Sequence, residues 1–231
     1  MATPWGGSTS PDAAPPPVVG AGSPTGVQLT DVDGPWQAGG MAIEVRPASV
    51  FDDVAAVVGP KRPDANVCWC LSYRLTSSKE NLALRGPARG ERVAELVRQS
   101  PPPGVLAYDG DEVVGWAAVH PRSDTSFATN RRIPHVDNVD AWSVWCIRVR
   151  PGHRKQGISH RLLAGAVDFA RANDAPAIEG YPVDNRGAKV DLTMAYVGTR
   201  ALFERAGFEK AADTDSVVGG FPRVLMRLDL R

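Results

Sequence analysis

Residues 141–174 limit what this chain can fold into more than any other stretch. From Ala141 to Val149 the residues are apolar on both alternations, with Trp142, Val144 and Cys146 set to one face and Trp145, Ile147 and Val149 to the other. A strand that is apolar on both faces has to be covered on both, which makes it a central strand. A loop through Pro151, Gly152 and Gly157 follows. From His160 to Asp174 the residues Leu162, Leu163, Ala166, Val167 and Ala170 then form one apolar stripe at helical spacing, stopping before Pro176. Ala177–Tyr181 reads as another buried strand. These elements predict an α/β (α+β) fold, a mixed central sheet flanked by helices.

The rest of the chain supplies further elements. Ile43 and Val45 begin a short strand that ends at Pro47, and Ser49 opens a helical stretch through Val54, Val57 and Val58 to Gly59-Pro60. Glu91 to Gln99 repeats apolar residues at helical spacing. Gly104–Asp109 and Glu112–His120, joined by Asp109-Gly110-Asp111, carry the pattern of a β-hairpin. Residues 121–140 form a polar loop too long to be a casual connection. Thr199–Ala206 is helical, and strands near Phe208–Ala212 and Arg223–Leu230 complete the order β-α-α-β-β-β-α-β-α-β-β. Residues 1–40 differ in kind: seven Pro, eight Gly and three acids as the only charged side chains. Such a segment buries too little apolar surface to offset the entropy of ordering it, so a disordered tail is expected before a domain of residues 41–231. Met41 is an alternative start.

Composition removes several function classes. Lys and Arg number 26 against 26 Asp and Glu, which argues against nucleic-acid binding as the main task. No apolar run is long enough to span a membrane, and no charged-then-apolar signal opens the chain. Three cysteines suit a reducing compartment rather than a disulfide framework. The expectation is a cytoplasmic protein, monomer or homodimer, without nucleic-acid or membrane partners.

The chemistry concentrates in Val149-Arg150-Pro151-Gly152-His153-Arg154-Lys155-Gln156-Gly157-Ile158-Ser159-His160. Leading from a buried strand into a helix N-terminus, this segment joins unpartnered backbone N–H groups, the positive end of the helix dipole, a glycine that permits close approach, and two full positive charges. That is a phosphate-binding arrangement. Arg154-x-x-Gly157-x-Ser159 also resembles the Arg/Gln-x-x-Gly-x-Gly/Ala signature of the GNAT superfamily of N-acetyltransferases, with Ser at the last position. Leu202-Phe203-Glu204-Arg205-Ala206-Gly207-Phe208 resembles that superfamily's closing helix and Gly-Phe turn, and the element order matches from Ala42 onward.

The resemblance implies acetyl-CoA as acyl donor, no metal, and direct transfer to an amine. The cofactor's pyrophosphate would meet the backbone of Arg154, Lys155, Gln156, Gly157, Ile158 and Ser159. Its pantetheine arm would pair with Ile147 and Val149, where the strand splays from its neighbour. Many members carry a Tyr four residues before the Gly of the turn, proposed to protonate the leaving thiolate. Here that residue is Phe203, and Tyr196 stands where an Asn is often found. Tyr196 is therefore the candidate substitute acid, with a packed or loop tyrosine as the alternative. A base is needed to deprotonate the amine. Glu179, a carboxylate inside an apolar strand, is the candidate, on which Glu179→Gln would lower the rate by roughly 10²–10⁴; a salt-bridged glutamate is the alternative.

Trp69 and Tyr73 are candidates to line the acceptor site, against core packing. Cys68-Trp69-Cys70 lacks zinc spacing, and Cys146 reads as a buried structural thiol. Asp124, Asp137, Asp140, Asp184 and Asp191, in the loops at 121–140 and 182–195, would suit a cationic acceptor, a protein lysine or a small amine. The competing reading, supported by Phe203, is a non-catalytic acyl-CoA-binding regulatory module of the same fold.

Overall fold

The computed structural model describes residues 43–62, 64–191 and 196–231; the expected tail over residues 1–40 lies outside them, as does part of the loop at 182–195. Seven strands form one mixed sheet in the order β1-β2-β3-β4-β5-β7-β6. They are β1 (Ile43–Pro47), β2 (Gly104–Asp109), β3 (Glu112–Pro121), β4 (Trp142–Val149), β5 (Ala177–Gly180), β6 (Glu209–Val218) and β7 (Phe221–Asp229). All neighbours are antiparallel except β4 and β5. Among the described residues six α-helices accompany it: α1 (Phe51–Val58), α2 (Leu71–Arg74), α3 (Ser78–Ala83), α4 (Pro87–Val97), α5 (Ile158–Ala172) and α6 (Arg200–Arg205). The sequence pattern anticipates this order except for α2 and α3. At four and six residues, they are too short to show helical periodicity.

Each face of the sheet has its own core. On one, α5 lays Ile158, Leu162, Leu163, Ala166 and Ala170 against Val105, Val114, Val144 and Ile178, joined by Phe203 and Phe208. On the other, Val54, Val57 and Val58 of α1 and Val93, Leu96 and Val97 of α4 meet Leu106, Trp116, Trp145 and Leu225. No helix among the described residues is long and apolar enough to cross a membrane.

The central strand departs from the expected alternation. Pairing of β3 with β4 shifts register between Ala118 and Val119, which oppose Cys146 and Val144, so Trp145 is an extra residue on β4. Across that bulge the faces exchange. Trp142 and Val144 share the α5 face with Ile147 and Val149, while Trp145 and Cys146 both face the α1 side. Parallel pairing of β4 with β5 covers Trp142–Val144 against Ile178–Gly180 and then stops. Because β4 continues to Val149 while β5 ends at Gly180, the two strands part just beyond the bulge.

Candidate active site

The gap between β4 and β5 is edged by backbone. The Ile147 N–H turns into it and donates to the Tyr196 carbonyl at 2.7 Å, whereas the Arg150 N–H turns the other way, to Val114 on β3. By the same alternation Val149 turns its backbone groups toward the gap. Of the two residues expected to face a pantetheine arm, Ile147 thus has its N–H occupied within the chain. The chain segment at Tyr196 supplies the acceptor that β5, having ended, does not.

The loop from β4 to α5 is shaped for an anion. Gly157 is the N-cap of α5 at φ 77, and an added Cβ there would meet nothing within 4 Å. None of the N–H groups from Arg154 through Ser159 has a hydrogen-bond partner among the described residues. Arg154, Lys155 and Gln156 are exposed, and Arg154 and Lys155 make no ion pair there. Ile158, by contrast, is buried in the α5 core and anchors the loop. Unpartnered N–H groups at the positive end of a fifteen-residue helix, flanked by two free cations, fit a pyrophosphate. Arg150 is not among those cations: it is held by Glu112 at 3.0 Å and the Val113 carbonyl at 2.9 Å.

The acetyltransferase (GNAT) family matches residues 73–208, more than half of the chain. The chain belongs to this family. The isoleucine–tRNA ligase of Haloquadratum walsbyi is 30% identical over 100 residues, 41% of this chain, but the chain spans only 8% of that protein's length. Similar solved structures include PaiA N-acetyltransferase from Thermoplasma acidophilum in complex with coenzyme A (15% identity, 82% of this chain and 100% of that one, TM-score 0.46). Another is an acetyltransferase of the GNAT family from Bacillus cereus (15%, 82% and 99%, TM-score 0.47). Ard1 from Thermoplasma volcanium is a third (11%, 83% and 99%, TM-score 0.47).

Within this GNAT chain, the face of the sheet opposite α5 gathers aromatic and sulfur groups beside the gap. The hydroxyls of Tyr73 and Tyr196 are hydrogen-bonded at 2.9 Å. Tyr73 stacks on Phe127 at 4.8 Å, and Phe127 lies against Tyr181, the residue after β5, at 4.4 Å. Burial, and then the bond to Tyr73, push the Tyr196 phenol well above the usual tyrosine range. Tyr73 therefore lies beside the gap. Trp69 does not: it is buried in the core, stacked on Phe51 at 6.0 Å and packed over Gly90. The physical reason is local, since Trp69 and Cys70 both take left-handed backbone (φ 52 and 55), which turns the chain before α2.

Cys70 reaches across the core to Cys146, Sγ to Sγ 2.9 Å, and its carbonyl accepts from the Trp145 indole at 3.0 Å. Sharing its proton with Cys146, and burial, push the Cys70 thiol up. Cys68 is exposed. Native protein treated with a maleimide is expected to label readily at Cys68 alone, with Cys70 and Cys146 reacting only after denaturation; peptide mapping of the adducts checks this.

For Glu179 the structure shows the salt-bridged arrangement that the sequence leaves as the alternative. The residue is 1% exposed, and both oxygens are committed: Oε2 to Arg122 at 2.8 Å and to the Tyr181 hydroxyl at 3.2 Å, Oε1 to Arg227 at 3.1 Å. A carboxylate held by two guanidiniums and sealed from solvent has no oxygen turned to the gap without a partner. It neutralises Arg122, whose Nη2 donates to the carbonyls of Ile133 and Pro134, each at 3.2 Å, and so pins the loop at 121–140. The arginines come from residues 57 and 48 positions away, and nothing in the sequence links them to Glu179.

The loop acids are spoken for as well. Asp137 pairs with Arg227 and Asp184 with Arg200, Asp140 accepts from the Ser123 N–H and hydroxyl, and Asp124 lies against the His120 ring, whose burial disfavours the charge that a salt bridge needs; Asp191 is not free either. Phe203, at the family's tyrosine position, is fully buried against Gly180, where any Cβ would collide with its ring.

Proposed function

We propose that the protein transfers the acetyl group of acetyl-CoA directly to an amine. The observation that carries this reading is the parting of β4 from β5 directly ahead of a helix N-terminus with six unpartnered N–H groups. In this reading the backbone of Arg154–Ser159 receives the pyrophosphate, with the Arg154 and Lys155 side chains adding charge, and Val149 pairs with the pantetheine arm. Pairing at Ile147 requires the Tyr196 carbonyl to yield its place. Holding thioester and amine together in one gap supplies much of the acceleration. The Tyr73–Tyr196 pair, anchored to the gap through Ile147, stands ready to donate a hydrogen bond to the sulfur that leaves. Three free thiols suit the cytoplasmic setting this reading assumes.

The test is to incubate the protein with acetyl-CoA and a panel of amines while following free CoA thiol, with calorimetry for the donor alone. Acceptor-dependent thiol release is expected. Donor binding without release on any acceptor would favour a non-catalytic module, and failure to bind acetyl-CoA would sink both readings.

A further inference from the structure

The face that carries Tyr73 and Tyr196 also holds a cation with no counter-charge among the described residues. Arg223, near the start of β7, is 3% exposed. Its Nε donates to the Tyr181 carbonyl at 2.6 Å, and its guanidinium lies 5.9 Å from the ring centres of both Tyr73 and Tyr181. Among the described residues Nη2 is buried with no hydrogen-bond partner, and no carboxylate pairs with the group. Arginine cannot shed its proton, so an unpaired guanidinium in the interior is a standing cost unless something anionic joins it. Aromatic faces at that distance compensate only in part. Arg148 lies on the same side of the sheet, two residues beyond Cys146 on β4, exposed and without a hydrogen bond or ion pair among the described residues. Among the described residues no carboxylate is ion-paired with either, and the acids of the surrounding loops lie against other groups. The charge left over beside the gap is positive, the reverse of what the loop acids suggest in sequence.

We infer that the acceptor is an amino acid, an amine bearing a carboxylate that Arg223 receives on the free Nη1–Nη2 end of its guanidinium. With Nε committed to Tyr181, that end still offers the planar two-donor fork that a carboxylate matches. Tyr73, whose ring the guanidinium faces, is half-buried at the end of the short helix α2. This inference requires Tyr73 to move aside and admit the ligand to Arg223. Arg148, on the exposed side, adds long-range attraction for the same charge. This inference rests on the acetyl-transfer reading, and it narrows the acceptor to a class.

The experiment uses matched acceptors that differ only in the carboxylate: phenylalanine against phenethylamine, lysine against 1,5-diaminopentane, leucine against 3-methylbutylamine. The full-length wild-type protein is expected to show a kcat/KM about 10–100-fold higher for the carboxylate members. In Arg223→Met that ratio collapses toward one, and Arg223→Lys restores part of it. Because Arg223 also holds Tyr181, a variant could fail to fold. A second wild-type measurement covers that outcome: 3-phenylpropionate, which has the carboxylate without the amine, is expected to compete with the acceptor and not with acetyl-CoA. Equal rates for both members of each pair, or no competition by the acid, overturn this inference and leave acetyl transfer standing. No acetylation of any amine overturns the transfer reading, and this inference with it.

Discussion

Glu179→Gln is expected to lower the stability of the protein by about 3–5 kcal/mol while leaving the rate per folded molecule nearly unchanged. The carboxylate is sealed in the sheet between Arg122, itself buried, and Arg227, which also reaches Asp137 and Asp229. Removing its charge leaves Arg122 with no anion at all, in a place where water cannot replace one. Arg227 keeps two other partners, so the loss falls mainly on Arg122 and on the loop it pins through Ile133 and Pro134. A urea titration measures the change in midpoint, and turnover is normalised to the folded fraction. A base lost from the chemistry would look different, with an unshifted midpoint and kcat down by roughly 10²–10⁴. That result would return Glu179 to the mechanism.

The contrast between those outcomes shows how far sequence alone reaches here. Helix α5 and strands β2, β3 and β4 are written in their apolar spacing, because burial acts residue by residue and leaves a local pattern. The phosphate loop is legible for the same reason: its N–H groups, Gly157 and its cations are neighbours in the chain. Glu179 shows what is hidden. Its oddity in an apolar strand is visible, but whether it meets a substrate or two arginines depends on Arg122 and Arg227, which only the folded sheet brings beside it. Tyr73 and Trp69 sit four residues apart and go to different places, one to the gap and one to the core, because left-handed turns at Trp69 and Cys70 redirect the chain. The bulge at Trp145 is equally silent in the alternation of β4, although it decides which face Cys146 joins and marks where the strands part. Arg223 gives no motif at all; its significance lies in the partner it lacks.

Tyr196→Phe is expected to reduce kcat by about 10²-fold with little change in KM for acetyl-CoA, the size typical of losing one donor aimed at developing charge. The donor loop does not depend on this side chain, and the backbone carbonyl that meets Ile147 survives the substitution. Burial and the bond to Tyr73 hold the phenol protonated well beyond the ordinary tyrosine range. A thiol near pKa ~8.5 is the stronger acid of the two, so proton transfer from the phenol to the departing thiolate runs uphill. On the proposed reading Tyr196 donates a hydrogen bond to the sulfur and keeps its proton, and the thiolate leaves as such. Tyr73→Phe removes the partner that orients Tyr196 and keeps the donor, so its effect on kcat is expected to be smaller, about threefold to tenfold. The pH profile supplies an independent check. With Glu179 locked in its ion pairs, the amine loses its proton to solvent, and kcat/KM should climb with pH toward the acceptor's own pKa. Because the phenol's pKa is raised, its donating form persists through that climb, and no alkaline fall is expected below about pH 10. A rate for Tyr196→Phe within about threefold of wild type, or a wild-type profile that falls between about pH 8 and 9, would remove this tyrosine from the reaction.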